Sequence, residues 1–273
     1  MFEKLLPILE WRAAIPSVFG IYHIVWLFLT VAATVLLCLL YKKGCIKNPK
    51  RVVWIVAIIV AVLEIYKQIV FCYSIDEWGV LHYEYQWFIL PWQFCSMPMY
   101  IGLLAGILRG KAQNFMHCFL ATYAIFGGLT VMAYPAQVYT AEIGINIQTM
   151  FCHASMIVVG VFLYYTGLVK TEFKSLFKAT ALFALSLGIA ICINEWAYRI
   201  GIMEGAHRVN MFYVSPYCEP SLPVYSIVQQ HVPYPWCLFI YIAGFCAVAC
   251  IILLIAMLVK SISAKIKAKK EVA

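Results

Sequence analysis

Charged residues make up only 12% of this 273-residue sequence, against 64% in the hydrophobic set, and mean hydropathy is +0.88. A soluble domain of that length has no way to hide so much apolar surface. The eleven cysteines include no CxxC pair, and the six histidines include no HxxH or HxxxH pair. There is no nucleotide-binding signature, no low-complexity tract and no internal repeat. These absences remove a disulfide framework and a helix-borne metal pair, and no cofactor is expected. The first 20 residues contain Glu3, Pro7, Glu10 and Arg12, which interrupt any signal-peptide core. They read instead as an amphipathic segment on the outer surface.

What is present is hydrophobic sequence in seven stretches: 21–41, 52–74, 87–108, 115–134, 145–169, 178–200 and 235–259. Each is near the ~20 residues that a spanning helix needs. The fold class predicted is a single all-α, seven-helix transmembrane domain over 1–273. Of the 20 basic residues, 15 fall in the loops 42–51, 109–111 and 170–178 and in the tail 260–273. The positive-inside rule therefore puts the carboxyl terminus in the cytoplasm and the amino terminus outside. The net charge of +8 is a topology signal, with no sign of nucleic-acid binding. The longest connection, 201–234, holds Asn210, His231 and several prolines. It is too apolar for a solvated loop and too broken for a helix, so a lid over the outer end is expected.

Ionisable groups inside spans are costly and call for an account. Glu64, Lys67 and Gln68 share one face of the second stretch. The sixth carries Asn194 and Glu195, with Arg199 four residues on. Cys95 lies between Pro91 and Pro98 in the third stretch, close to Gln93. Gln148 and His153 lie in the fifth. If the third and fifth helices enter from one side at Trp87 and Ile145, Cys95 and His153 are both eight residues in, about 12 Å deep. A thiol needs a base to attack a carbonyl, and imidazole is the usual one. Cys95 and His153 are thus the candidate catalytic dyad, with Gln93, Gln148 and Asn194 as oxyanion donors. Glu64 or Glu195 would orient the imidazole.

Plainer readings stand beside these. Glu64 with Lys67, and Glu195 with Arg199, make simple intrahelical ion pairs. A lone cysteine in a span is usually packing, and a lone histidine can bridge two helices. A zinc site built from Cys95, His153 and one glutamate lacks a paired-histidine anchor.

Leu90-Pro91-Trp92-Gln93-Phe94-Cys95-Ser96, His153, Asn210-Met211-Phe212-Tyr213 and Pro233-Tyr234-Pro235-Trp236 occur in that order. In these motifs the chain resembles the YwaF-like integral membrane proteins of bacteria, related to eukaryotic transmembrane protein 164. Val232-Pro233-Tyr234-Pro235-Trp236 departs modestly from that family's Gly-Pro-Trp-Pro-Trp run. The resemblance implies a seven-helix protein, for bacterial members in the plasma membrane. For the eukaryotic relative it implies a glycerophospholipid acyltransferase whose cysteine and histidine fall on Cys95 and His153. The expected function is acyl transfer or hydrolysis on membrane phospholipid, with lyso-phospholipid as product or acceptor. The alternative is a non-enzymatic carrier or receptor for a small polar or lipid ligand. A scaffold role is neither supported nor excluded by the sequence.

Overall fold

A computed structural model describes residues 2–202, 208–219 and 222–272. The chain opens with α1 (Phe2–Leu9), whose Leu6 is buried while Leu5 and Ile8 are exposed. The segment after it is pinned to the bundle. The Tyr66 hydroxyl donates to Leu9 O at 2.7 Å, and Arg12 pairs with Glu142 at 2.8 Å. α2 (Ile21–Lys42) and α3 (Pro49–Cys72) follow. Asn48 caps α3, accepting from the Arg51 amide, and Pro49 occupies the first turn, where its missing donor costs nothing. A small antiparallel hairpin, β1 (Tyr73–Ile75) with β2 (Leu81–Tyr83), closes the carboxyl-terminal end of α3.

The third hydrophobic stretch departs from the span expected of it. It contains two 3-10 turns, Trp87–Ile89 and Phe94–Ser96, and only then α4 (Met97–Ile107). With 11 residues, α4 is about half a membrane crossing. The two prolines do different work. Pro91 lacks an amide donor and holds Leu90 out of helical geometry, so no helix forms across 87–96. Pro98 lies in the first turn of α4, where it starts the helix and does not kink it.

The next stretch is one span, Gly110–Ala133, built from α5 (Gly110–Phe119), a π-turn at Leu120–Ala124 and α6 (Ile125–Ala133). α7 (Ile143–Tyr165) and α8 (Phe173–Arg199) complete the central bundle. Of the expected lid 201–234, residues 203–207 and 220–221 lie outside the described residues. The rest contains a 3-10 turn at Met211–Tyr213 and a helix, α9 (Pro223–His231), so the expectation of a non-helical segment was wrong there. Pro223 again serves as an opener. The last helix, α10, runs Trp236–Val272 and continues through the basic tail.

Among the described residues, six helices are long and apolar enough to cross a membrane. They are α2, α3, Gly110–Ala133, α7, α8 and the Trp236–Lys269 part of α10. α7 is central: α2, α3 and α6 all pack on it, while α4 packs on α3. Close approach depends on glycine at several places, two of them beside the site. A Cβ at Gly128 would lie 2.6 Å from the His153 carbonyl, and one at Gly102 would lie 2.7 Å from the Ala57 methyl.

Candidate functional site

The site is built around the unwound backbone ahead of α4. In lipid such backbone survives only where protein covers it. Phe94 provides the anchor. Its ring meets those of Phe183, Phe212 and Phe245 at centroid distances of 6.0, 5.9 and 5.0 Å, edge-on in each case. Gln68 of α3 satisfies the freed backbone, donating to Ile89 O at 3.0 Å and to Glu64 at 2.8 Å. Glu64 also pairs with Lys67 at 2.8 Å, so carboxylate, ammonium and amide form one compact unit on α3.

Gln93 and Asn194 have a role that their amide chemistry alone did not reveal. Gln93 donates to Asn210 O and accepts from the Phe212 amide, both at 2.9 Å. Asn194 donates to Met211 O at 3.0 Å and accepts from Met211 N at 2.7 Å. Two side-chain amides on opposite sides thus grip the turn 210–213. Asn210 caps the turn through Ser215 N at 3.0 Å, and Tyr241 of α10 donates to Phe212 O at 3.0 Å. Phe212 and Tyr213 both have φ of 57°, a left-handed conformation costing on the order of 1–3 kcal/mol per residue. The five bonds that Gln93, Asn194 and Tyr241 make to the turn hold it there. Both amides are therefore engaged in structure, each with one further N–H.

Cys95 follows Phe94 directly, one residue ahead of Ser96, which caps α4. The residue thus sits two positions ahead of Met97, where α4 begins. Cys95 lines a crevice between α3, α4 and α7. The walls are Val53, Val56, Ala57 and Val60 of α3, Pro98, Met99 and Gly102 of α4, and Cys152, Ser155 and Met156 of α7. The void is about 30 Å³, room for roughly one water. From Cys95 it descends along apolar side chains toward the Lys50–Arg51 end of the bundle. In this closed arrangement it does not hold an acyl chain, and one could enter only if α3, α4 and α7 parted.

Across the crevice, Gln148 donates to Cys152 Sγ at 3.4 Å. Nothing in the sequence alone singles out Cys152, although its i, i+4 spacing from Gln148 is legible there. His153 is the next residue on α7 and is buried. Its Nδ1 is 2.7 Å from Thr149 O, and its Nε2 is buried with no partner. A carbonyl oxygen can only accept, so Nδ1 carries the proton and Nε2 presents a free lone pair. Among the described residues no hydrogen bond joins Cys95 to His153. Lys67 supplies a common electrostatic neighbour, acting on Cys95, Cys152 and His153 alike. Tyr213 and Tyr241 feel Cys95 from the opposite side.

The other candidate residues lie apart from this cluster. Glu195 pairs with Arg199 at 2.8 Å and accepts from the Tyr217 hydroxyl at 2.6 Å, at the exposed end of α8. His231 is exposed and bonds Ile227 O within its own helix. Among the described residues no three His, Cys, Asp or Glu side chains group as metal ligands.

Comparison with curated proteins and with solved structures finds no match. A comparison with protein families matches residues 18–260, nearly the whole chain, including the broken third stretch, α7 and the 210–213 turn. The apolar helices and this match together make the protein an integral membrane protein. The chain belongs to the TMEM164 family.

Proposed function

We propose that the protein is an intramembrane thiol acyltransferase or lipid hydrolase acting on glycerophospholipid, with Cys95 as nucleophile and His153 as base. The observation that carries this reading is the buried, unpartnered Nε2 of His153, fixed as a proton acceptor by the Nδ1–Thr149 bond, on the helix whose Cys152 faces Cys95 across the crevice. Family membership adds a lipid-related setting. His153 Nε2 takes the Cys95 proton, and the thiolate attacks the ester carbonyl carbon. A C–S bond forms and the ester C–O bond breaks. The imidazolium returns its proton to the departing lyso-phospholipid oxygen. A lyso-lipid hydroxyl or water then loses a proton to His153 and attacks the thioester; the C–S bond breaks and the thiol reforms. The α4 amino terminus and the spare N–H groups of Gln93, Gln148 and Asn194 stabilise the oxyanion. With α3, α4 and α7 parted, the acyl chain lies down the crevice toward Gly102.

Seven crossings, with α4 and the segment ahead of it as the third, complete this reading. The amino terminus is then outside and the tail cytoplasmic, in a bacterial plasma membrane.

Reconstitution into phosphatidylcholine vesicles labelled in one acyl chain tests the activity. Release of lyso-phospholipid, lost in both Cys95→Ser and His153→Ala, supports it. No turnover by folded wild-type protein with any phospholipid class, or turnover surviving Cys95→Ser, contradicts it. The half-length α4 also suits a carrier with an interrupted helix. Under that reading, lipid would move between leaflets with Cys95 dispensable.

A further inference from the structure

A second cavity shares no residue with the Cys95 crevice. It is a groove of about 670 Å³ between α6, α7 and α10, within the range of a ligand site. Leu129, Val161, Ile252 and Ile255 form its apolar walls. Beyond Ile255 along α10 the character changes: Lys170 and Lys260 line the groove together with Thr171 and Ser263. Ile252 and Lys260 are eight residues apart, about 12 Å along the helix. Neither lysine has a salt bridge among the described residues. The hydroxyl of Tyr164, another wall residue, is buried without a hydrogen-bond partner. Apolar length ending in two cations and hydroxyl donors complements one ligand type, an amphiphile with a negative head.

We propose that this groove binds an anionic phospholipid, with an acyl chain between α6, α7 and α10 and the phosphate on Lys170 and Lys260. Basic pockets between spanning helices at a cytoplasmic face bind anionic headgroups by this chemistry. Thr171 and Ser263 donate to phosphate oxygens, and Tyr164 to an ester carbonyl. The positive-inside reading puts these lysines where anionic lipid is present. The site stands independently of catalysis at Cys95.

The test uses the full chain in nonionic detergent, with phosphatidylglycerol and phosphatidylcholine of matched chains titrated and retained lipid counted by native mass spectrometry. Wild type is expected to retain one phosphatidylglycerol in preference to phosphatidylcholine. The Lys170→Gln, Lys260→Gln double variant should bind it at least fivefold more weakly, and about thirtyfold if the two lysines add. Ala256→Trp, or Leu129→Trp should the first not fold, fills the groove, leaves both lysines, and should also expel the lipid. Lys111→Gln with Lys174→Gln removes two cations elsewhere on the bundle and should change nothing. Equal retention of phosphatidylcholine, a loss under fivefold in the double variant, or retention by a folded groove-filling variant would overturn the proposal.

Discussion

Two ion pairs of this chain close at the same 2.8 Å and one helical turn apart in sequence, yet they inhabit different chemistry. Glu64–Lys67 on α3 keeps only 10% and 18% of its side-chain surface; Glu195–Arg199 on α8 keeps 41% and 74%. The buried pair is surrounded by Gln68, Cys95, Cys152 and His153. Its charges cannot turn to water, and its ammonium acts on both thiols and the imidazole. The exposed pair has Tyr217 and solvent. Spacing of one helical turn, i,i+3 in the first pair and i,i+4 in the second, therefore says that two residues can meet and nothing about what they do once they have met. Burial decides that.

The sharpest way to break the comparison is Lys67→Met. It strands Glu64 in the bundle and is expected to cost about 3–5 kcal/mol, read as a fall in melting temperature and folded yield. Glu64→Gln with Lys67→Met should recover part of the loss; a double variant as damaged as the sum of the singles would mean that the two are not coupled. Next comes Asn194→Ala, which leaves the amide of buried Met211 without a partner and its carbonyl with only the long 3.5 Å bond from Val214 N, and lets the left-handed turn relax. A loss of about 1–3 kcal/mol is expected from the orphaned amide, with Gln93→Ala somewhat milder because its turn contacts are less buried. Denaturant titration of each variant measures it. Arg199→Met, by contrast, should shift no transition beyond experimental error, since its partner and Tyr217 remain hydrated.

A third pair lies on the β1–β2 hairpin, outside the membrane-spanning helices. The His82 ring bonded to Asp76 at 2.8 Å, helped by the Val80 and Trp78 amides, holds the Asp76 carboxyl below its ordinary range. A depressed carboxylate contributes stability above its unfolded pKa of about 4 and loses it as pH falls through the lower folded value. Amide exchange at Trp78 and Val80 should quicken across that window. Asp76→Asn should show the quickening at neutral pH and no acid-induced change.

The sequence made helix positions legible because apolar runs of about 20 residues have few alternatives. Residue types that needed explaining, Glu64, Cys95 and His153 among them, also stood out against apolar surroundings. What it did not reveal depended on distant partners. Two prolines near Cys95 announced a disturbance. Whether Pro98 would kink a helix or open one depended on distant contacts to the backbone before it, such as the Gln68 bond to Ile89 O. Gln93 and Asn194 read as free donors because their partners, 17 to 119 residues away, are main-chain atoms of one turn. The π-turn at Leu120–Ala124 leaves no trace in a sequence that is apolar throughout. Cys152 and Cys95 are the same residue type in similar company, and only their shared crevice relates them.

The central claim is that Cys95 and His153 work as nucleophile and base. Its most direct test is intact mass spectrometry of protein incubated with a short-chain activated acyl ester in detergent, followed by peptide mapping. The account predicts one acyl group in hydroxylamine-labile linkage on Cys95, absent from Cys95→Ser and His153→Ala and retained by Cys152→Ser. Acylation of Cys95 at an undiminished rate in folded His153→Ala, or acylation of Cys152 in place of Cys95, would contradict it.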